Sequence, residues 1–325
     1  MSSPVVLELG SHSLKVHYVS ASSGILRKTR FAWDLGHEVY STGRISRASA
    51  ARAVATIEEL RQKGIHPRAV LAIATGALRD ATNSRDFVSL LEERLELKVR
   101  IISGREEASL LAQAYLETSD RLPALITDIG GGSLEFVYLG EDRTILRDSL
   151  PLGAIRLYHF GQRADGSFDE ELVSSWIEDS FGEASLIRAT EIHSTGGTAK
   201  AIAKSLDKST ATFDEVVELE RKTRRDGPPG HLKPDRARVF LPGLLVLRKA
   251  MEHAGAERLT YLKAAIGRVF LQKYAGRLSV RTRDARNDLL RDLRITQIYP
   301  RKSSIGLPLE KKADDRRSDG GHEAR

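Results

Sequence analysis

The sequence predicts an α/β protein of two related lobes built on a duplicated βββαβα-type unit. Two observations carry that expectation. In residues 5–16 an apolar strand pattern runs through Glu8 into a turn of Gly10, Ser11, His12 and Ser13, and a second strand pattern resumes at once. The same grammar returns in residues 125–139, where Asp128 precedes Gly130, Gly131, Gly132 and Ser133, and Glu135 follows in the next strand. Two such hairpins in successive halves of one chain point to duplication, each half offering its turn to a shared cleft. A third Gly-rich turn, through Gly196, Gly197 and Thr198, follows a short strand pattern and opens a helical run.

The elements follow from periodicity and punctuation. Residues 5–9 and 14–19 form the first hairpin. Ser46 caps a helix that carries Val54, Ile57 and Leu60 on one face and ends at Gly64. Residues 69–74 read as a strand, 84–95 as a helix, 99–102 as a strand and 104–116 as a helix. The second half opens with strands over 125–128, 134–139 and 143–150, and helices are expected over 169–187, 199–206, 239–254 and 264–274. The basic run Arg221, Lys222, Thr223, Arg224, Arg225, ahead of the breaker Gly227, Pro228, Pro229, Gly230, reads as an exposed loop with mobile charge. Solvated surface is the ordinary account of such a run, and a polyanion track is the alternative.

A chain of 325 residues accommodates two domains of ordinary size. These are expected at 1–121 and 122–300, with a polar, charged and disordered tail over 301–325. Its 41% hydrophobic and 29% charged residues describe a globular protein. The absence of cysteine excludes disulfides and thiolate metal sites and fits a cytoplasmic location. The N-terminus lacks a basic region followed by an apolar core, so no signal peptide is expected, and no apolar run approaches membrane-spanning length. The formal charge of +7 could serve a polyanionic ligand.

Three consecutive glycines forgo packing and carry a high conformational-entropy cost. One explanation is close approach of backbone amides to an anion, with Asp128 and Glu135 beside it to manage a cation or a water. A tight hairpin with glycine at positive φ explains the same string equally well. Amides at the helix start near Gly196, Gly197 and Thr198 suit a phosphate. Glu107 follows a Ser-Gly turn in the first helical turn, where acids are favoured by the helix dipole in any case. Two adjacent glutamates there let one cap the helix while the other faces a cleft. Arg79 follows a strand end, where a guanidinium could hold a phosphate bidentately; a surface pair with Asp80 or Asp86 is the alternative. The nine histidines show no zinc-ligand spacing, and neither a GxSxG elbow nor a Walker lysine is present.

Taken in order, residues 8–13, 74–81, 102–108, 128–135, 150–156 and 195–198 resemble the exopolyphosphatase/guanosine pentaphosphate phosphatase (Ppx/GppA) family in its short form, without extra C-terminal helical domains. The resemblance implies the actin/sugar-kinase/Hsp70-like, ribonuclease H-like two-lobed fold with an interlobe cleft. It implies hydrolysis of a terminal phosphoanhydride on inorganic polyphosphate or on pppGpp, a guanosine penta/tetraphosphate alarmone being the nucleotide partner. By this resemblance Glu107 is the catalytic glutamate that orients or deprotonates the attacking water. Asp128, Glu135 and Glu8 are the acids associated with Mg²⁺ (or Mn²⁺). Gly10–Ser13 and Gly130–Ser133 are the phosphate loops, joined by Arg79 and by Gly196, Gly197 and Thr198. A homodimer is a common family state, and neither nucleic acid nor membrane is an expected partner.

The chain also departs from the family pattern. Glu8 stands where aspartate is usual and His12 where asparagine is. Residues 262–269 diverge from a segment normally close to Ser-Asp-Gly-x-Leu-Arg-Glu-Gly. These departures motivate a second reading, a catalytically weak or inactive regulator that binds polyphosphate or the alarmone. A third, an ATPase or kinase of the same superfamily, fits poorly with the glutamate motif at 103–108.

Overall fold

Two sheets organise the chain, and each begins with a meander whose first strand is apolar enough to be covered on both faces. The computed structural model describes residues 5–19, 26–62, 70–141, 145–183, 188–263 and 266–277. All of them belong to one compact unit, Met1–Ile295.

In the first sheet, β1 (Val5–Leu9) is buried along its whole length. It pairs antiparallel with β2 (Ser13–Val19), which pairs antiparallel with β3 (Leu26–Ala32). On its other side β1 runs parallel to β4 (Val70–Ala74), and β4 runs parallel to β5 (Val99–Ile101). The order is therefore β3-β2-β1-β4-β5. The second sheet contains β6 (Ala124–Ile129), β7 (Leu134–Leu139), β8 (Ile145–Leu150), β9 (Glu191–Thr195), β10 (Thr210–Thr212) and β11 (Arg258–Tyr261), in the order β10-β11-β9-β6-β7-β8. Read from β8, it repeats the first sheet strand for strand: an antiparallel meander β8-β7-β6, then β9 and β11 in parallel, with β10 added at the edge. The duplication expected from the two acid-Gly-Ser hairpins is the architecture observed.

The helices follow as α1 (Leu35–Thr42), α2 (Arg47–Gln62), α3 (Ala77–Asp80), α4 (Ser84–Leu95), α5 (Gly104–Leu116) and α6 (Ala154–Phe160). The chain continues through α7 (Glu170–Glu183), α8 (Gly196–Ser205), α9 (Phe213–Asp226), α10 (Pro234–Arg238), α11 (Phe240–Ala254) and α12 (Ile266–Arg277). The first core sets Leu7, Leu9, Leu14 and Val16 against Ile57, Leu60, Phe87 and Leu91. The second gathers Ile129, Leu134 and Ile192 under Ile177, Ile202, Leu244 and Leu247.

Helix α5 belongs to both halves. Leu110 and Ala114 pack with Val6, Ile73 and, from α12, Val269 and Phe270. Ala108, Leu111, Ala112 and Tyr115 pack with Ile126, Val137 and Leu139 of the second sheet. Two apolar residues on one side and four on the other make α5 the wedge between the sheets.

One expected loop is a helix. Arg221–Arg225 lie within α9 rather than in a mobile connection. Thr212 and Glu215 form a capping box at its start, Asp214 and Glu215 occupy its first turn, and Arg224 and Arg225 its last. The basic run thus complements the negative end of the helix dipole. Arg224 pairs with Glu170 of α7 and with Glu220. The strands β3, β10 and β11 and the helices α1 and α6 were not anticipated. Several expected positions fall outside the described residues: Gly64, residues 143–144, 184–187 and 264–265, and the tail over 301–325. Among the described residues no helix is long and apolar enough to cross a membrane.

Candidate active site

The two acid-Gly-Ser turns meet face to face. Each closes in the same way: the Gly10 amide donates to the Ser13 carbonyl at 3.1 Å and the Gly130 amide to the Ser133 carbonyl at 3.0 Å. Gly130, Gly131 and Gly132 all avoid the left-handed region, so positive φ does not explain them. Space does. A Cβ on Gly131 would lie 2.8 Å from the Cβ of Ser11, and one on Gly132 only 1.9 Å from the Tyr40 hydroxyl. A Cβ on Gly153 would in turn strike the Gly132 backbone at 2.2 Å. The glycine string is the surface on which the second lobe receives Ser11 and Tyr40 of the first.

Next to that contact, β4, α5 and β7 converge. Ser103 and Glu106 form a reciprocal capping box at the start of α5, and Glu106 also pairs with Arg100. The adjacent glutamate is thereby left for the cleft. Glu107 Oε2 accepts from Arg79 Nη1 at 3.1 Å, while Arg79 Nη2 donates to Ser133 Oγ at 3.3 Å. A third bond, Nη1 to the Ile102 carbonyl at 3.0 Å, fixes the guanidinium. Glu135 is buried and accepts from Ser149 Oγ at 2.8 Å. Gly104 makes room here, since its Cβ would lie 2.3 Å from that same Ser149 hydroxyl.

The duplicated register exposes a difference between the halves. Glu8 stands opposite Lys15 on β1 and β2, whereas the equivalent pair on β6 and β7 is Asp128 opposite Glu135. The first half neutralises its acid with its own cation, and the second sets two acids side by side. Burial would raise the pKa of Glu8, but Lys15 and His17 hold it well below the usual carboxylate range. Glu107 goes the other way. Burial lifts its pKa to about 7, aided by Asp128 and Glu8 and opposed by Arg79. Asp128 is pushed up to about 6 by burial and Glu8, against Lys15. Glu135 is raised well above the ordinary value by burial, Glu107 and Asp128. A cluster of carboxylates lifted toward neutrality by burial and mutual repulsion is a mark of functional sites.

The expected site residues separate accordingly. Arg79 links Glu107 to Ser133, Ser133 in turn bonds Glu135, and Asp128 acts on both glutamates electrostatically. The Ser11 hydroxyl accepts the Ala77 amide at 2.9 Å and so caps α3. His12 lies between two acids, Nδ1 3.3 Å from Asp34 and Nε2 2.8 Å from Asp235. Thr198 is buried against α11, where a Cβ on Gly243 would meet its hydroxyl at 2.5 Å. Gly196, at φ +94°, abuts Asp128, and Gly197 receives the guanidinium of Arg236. Glu8 is engaged by Lys15 and His17.

Among the described residues no three His, Asp or Glu side chains gather as a set that could hold a metal. Asp128 and Glu135 nevertheless offer hard carboxylate oxygens with no ion-pair partner among the described residues. They fit a divalent cation of the Mg²⁺ type, which commonly takes one or two carboxylates and completes its shell with phosphate oxygens and water.

Sequence reasoning missed Tyr40, Asp80 and Arg156. Arg156 Nε donates to the Gly132 carbonyl at 2.7 Å, its guanidinium pairs with Asp80, and it lies 4.6 Å over the Tyr40 ring. Tyr40 donates to Asp80 at 3.1 Å. Asp80 and Arg156 both occur inside the motif stretches at 74–81 and 150–156, which was the available signal. Their partnership was not legible because they are 76 residues apart.

Comparison with known proteins identifies a family and a fold. The family model described as the Ppx/GppA phosphatase family matches residues 16–266. Exopolyphosphatase 1 of Mycobacterium tuberculosis strain H37Rv is 32% identical over 162 residues, 47% of this chain and 46% of that protein. Exopolyphosphatase 1 of Mycobacterium leprae is 28% identical over 193 residues, 56% of each. The chain spans about half the length of the curated relatives it matches. Among solved structures, a Ppx/GppA family member of Aquifex aeolicus has a TM-score of 0.64 at 21% identity, covering 85% of this chain and 98% of that one. An exopolyphosphatase from Cytophaga hutchinsonii has a TM-score of 0.68 at 17% identity, with the same coverage. At these identities the likeness is one of fold.

Proposed function

Because the chain belongs to the Ppx/GppA phosphatase family, we propose that it removes the terminal phosphate from inorganic polyphosphate by attack of water, with Glu107 as general base. The observation that carries this reading is the single guanidinium of Arg79 bonded to Glu107 on one side and to Ser133 of the glycine turn on the other. A terminal phosphate drawn to Arg79 and the turn would lie beside Glu107. Phosphoryl transfer asks chiefly for positioning and for stabilisation of spread negative charge, which a fixed guanidinium supplies.

A base with a pKa near the working pH combines adequate ionisation with useful basicity. Glu107, raised to about 7, has that character. It takes a proton from water as the water oxygen bonds to the terminal phosphorus. The bridging P–O bond breaks, leaving a chain one phosphate shorter, and orthophosphate departs. Ser149 holds the Glu135 carboxylate in place. Asp128 and Glu135 would hold Mg²⁺ or Mn²⁺, whose contribution when bound is to neutralise phosphate charge.

The alarmone pppGpp carries the same kind of terminal phosphoanhydride and is the second substrate of this reading. The engagement of Glu8 by Lys15 and His17 favours the alternative of a weakly catalytic binder, because it withdraws one acid from the cleft. One assay separates these outcomes: phosphate release from long polyphosphate, pppGpp and ATP, with wild type beside Glu107→Gln. Release from polyphosphate that collapses in the variant supports the mechanism. Turnover unchanged in the variant overturns it, and tight binding without release by wild type supports the binder.

A further inference from the structure

The sheet face that carries Glu8 does not end at the carboxylate cluster. Lys15 stands opposite Arg30, and His17 opposite Lys28, across β2 and β3. Residues directly opposite, and those two apart, share a face, so Glu8, Lys15, Arg30 and Lys28 lie on one side of the sheet. Arg30 is two strand spacings from Glu8, about 10 Å. Lys28 and Arg30 are exposed.

From the other half, α8 brings its N-terminus and the exposed Lys200. Arg236 of α10 is seated against Gly197 in the first turn of α8, close enough that a Cβ there would lie 2.2 Å from Nη1. Among the described residues, none of Lys28, Arg30, Lys200 and Arg236 has a carboxylate within ion-pair distance. The nearby acids Asp34 and Asp235 are drawn to His12, whose side chain is 7% exposed. Neither ring nitrogen of His12 makes an aligned hydrogen bond. The His12–Asp235 contact at 2.8 Å joins the residue next to Arg236 to the turn between β1 and β2. Arg30 and Arg236 both act on His12, and Lys200 and Arg30 on Lys28, so the cations face one region.

We infer that Lys28, Arg30, Lys200 and Arg236 form a second anion subsite, which holds the inner phosphates of a linear phosphoanhydride chain while its end lies beside Glu107. The inference rests on the polyphosphate reading above and extends it to chain length. Four cations from three elements match a row of successive charges, where a single orthophosphate would engage one or two. Lys15, 35% exposed, stands opposite Arg30 and also acts on Asp128, which gives the row continuity. The subsite grips the part of the substrate that persists after each cleavage, so it sets affinity for long chains and leaves the chemical step alone.

The test uses the full chain with Lys28→Gln/Arg30→Gln and, separately, Lys200→Gln. These positions are exposed and leave both cores intact; Arg236→Gln is added with its melting temperature measured. The readouts are KM and kcat on long polyphosphate and on tripolyphosphate, together with calorimetric titration of both and of orthophosphate. Expected is a rise in KM for long polyphosphate of about tenfold or more with a shallower salt dependence, since fewer counterions are released. The kcat at saturation and the KM for tripolyphosphate should stay near the wild-type values. Equal losses on long and short chains, or no change on either, overturn the subsite. If wild type releases no phosphate from any substrate, the titrations alone decide. Long polyphosphate bound through these cations without turnover overturns the catalytic reading and upholds the subsite. Long polyphosphate bound no more tightly than orthophosphate overturns the subsite.

Discussion

Arg156 of α6 reaches across to Asp80 of α3, so an ion pair joins the helix that follows the second sheet's meander to the helix that follows β4. The same guanidinium donates to the Gly132 carbonyl and covers the Tyr40 ring. One buried arginine therefore fixes the glycine turn, an aromatic ring and the neighbour of Arg79 together. Arg156→Ala should lower stability by about 3 kcal/mol, the scale for removing one partner of a buried pair. Arg156→Lys should restore only part of that loss, because it cannot reproduce the planar fork. Urea unfolding monitored by circular dichroism checks both.

Gly132 and Tyr40 supply a second, geometric expectation. Gly132→Ala would place a methyl group 1.9 Å from the Tyr40 hydroxyl. The strain should cost about 1–3 kcal/mol and separate the two turns, with activity falling at least as far. Tyr40→Phe removes the oxygen in the way, so the double variant should recover part of the stability lost by Gly132→Ala alone. A double-mutant cycle on melting temperature measures the coupling. Strict additivity would mean the turns are not pressed together at this point.

Glu107→Gln keeps the shape of the side chain and removes the base. A fall in kcat of about 10²–10⁴-fold is the usual scale for losing a general base. The capping box of Ser103 and Glu106 is untouched, so α5 and the melting transition should survive. In wild type, kcat/KM should rise with pH on the acid side through about 7, as Glu107 ionises. A pH–rate profile without that limb would remove Glu107 from the role.

Stability should respond to pH in the opposite sense. The folded-state pKa of Glu107 is raised from 4.5 to about 7, so between those values the folded chain binds more protons than the unfolded one. Stability contributed by the protonated group is present below 4.5 and is lost as pH rises toward 7. Glu107→Gln should therefore gain on wild type between pH 5 and pH 8, by on the order of 1–2 kcal/mol. Glu8 works in reverse: its lowered pKa contributes stability above the ordinary glutamate range that is lost on acidification. Melting curves of both proteins across this range would reveal the crossing trends.

The legible parts of this molecule were those written locally. Glu8 to Ser13 and Asp128 to Glu135 announced the duplicated hairpins because each signal fits within a few consecutive residues, and Ser103-Gly104-Arg105-Glu106 announced its own cap. The α9 helix carried an equally local signature in Thr212 and Glu215, yet the arginines and the Gly-Pro-Pro-Gly breaker drew attention to a loop. What stayed hidden was relational. Nothing local to Ser11 says that its hydroxyl caps α3, and nothing near Lys28 or Arg30 says that β3 exists and sets them beside Lys15. The glycines were noticed for their cost, but not for the approach of Ser11 and Tyr40 from the other half of the protein to Gly131 and Gly132.

Helix α5 has one row of side chains in each of two cores and the proposed base at its first turn. A rotation of one sheet against the other cannot preserve both rows. Some part of any such motion must be taken up by the helix, and its leading end carries Glu107. The carboxylate is thus mounted like a pointer on the axle between two wheels: the angle between the sheets is converted into the aim of a single oxygen pair.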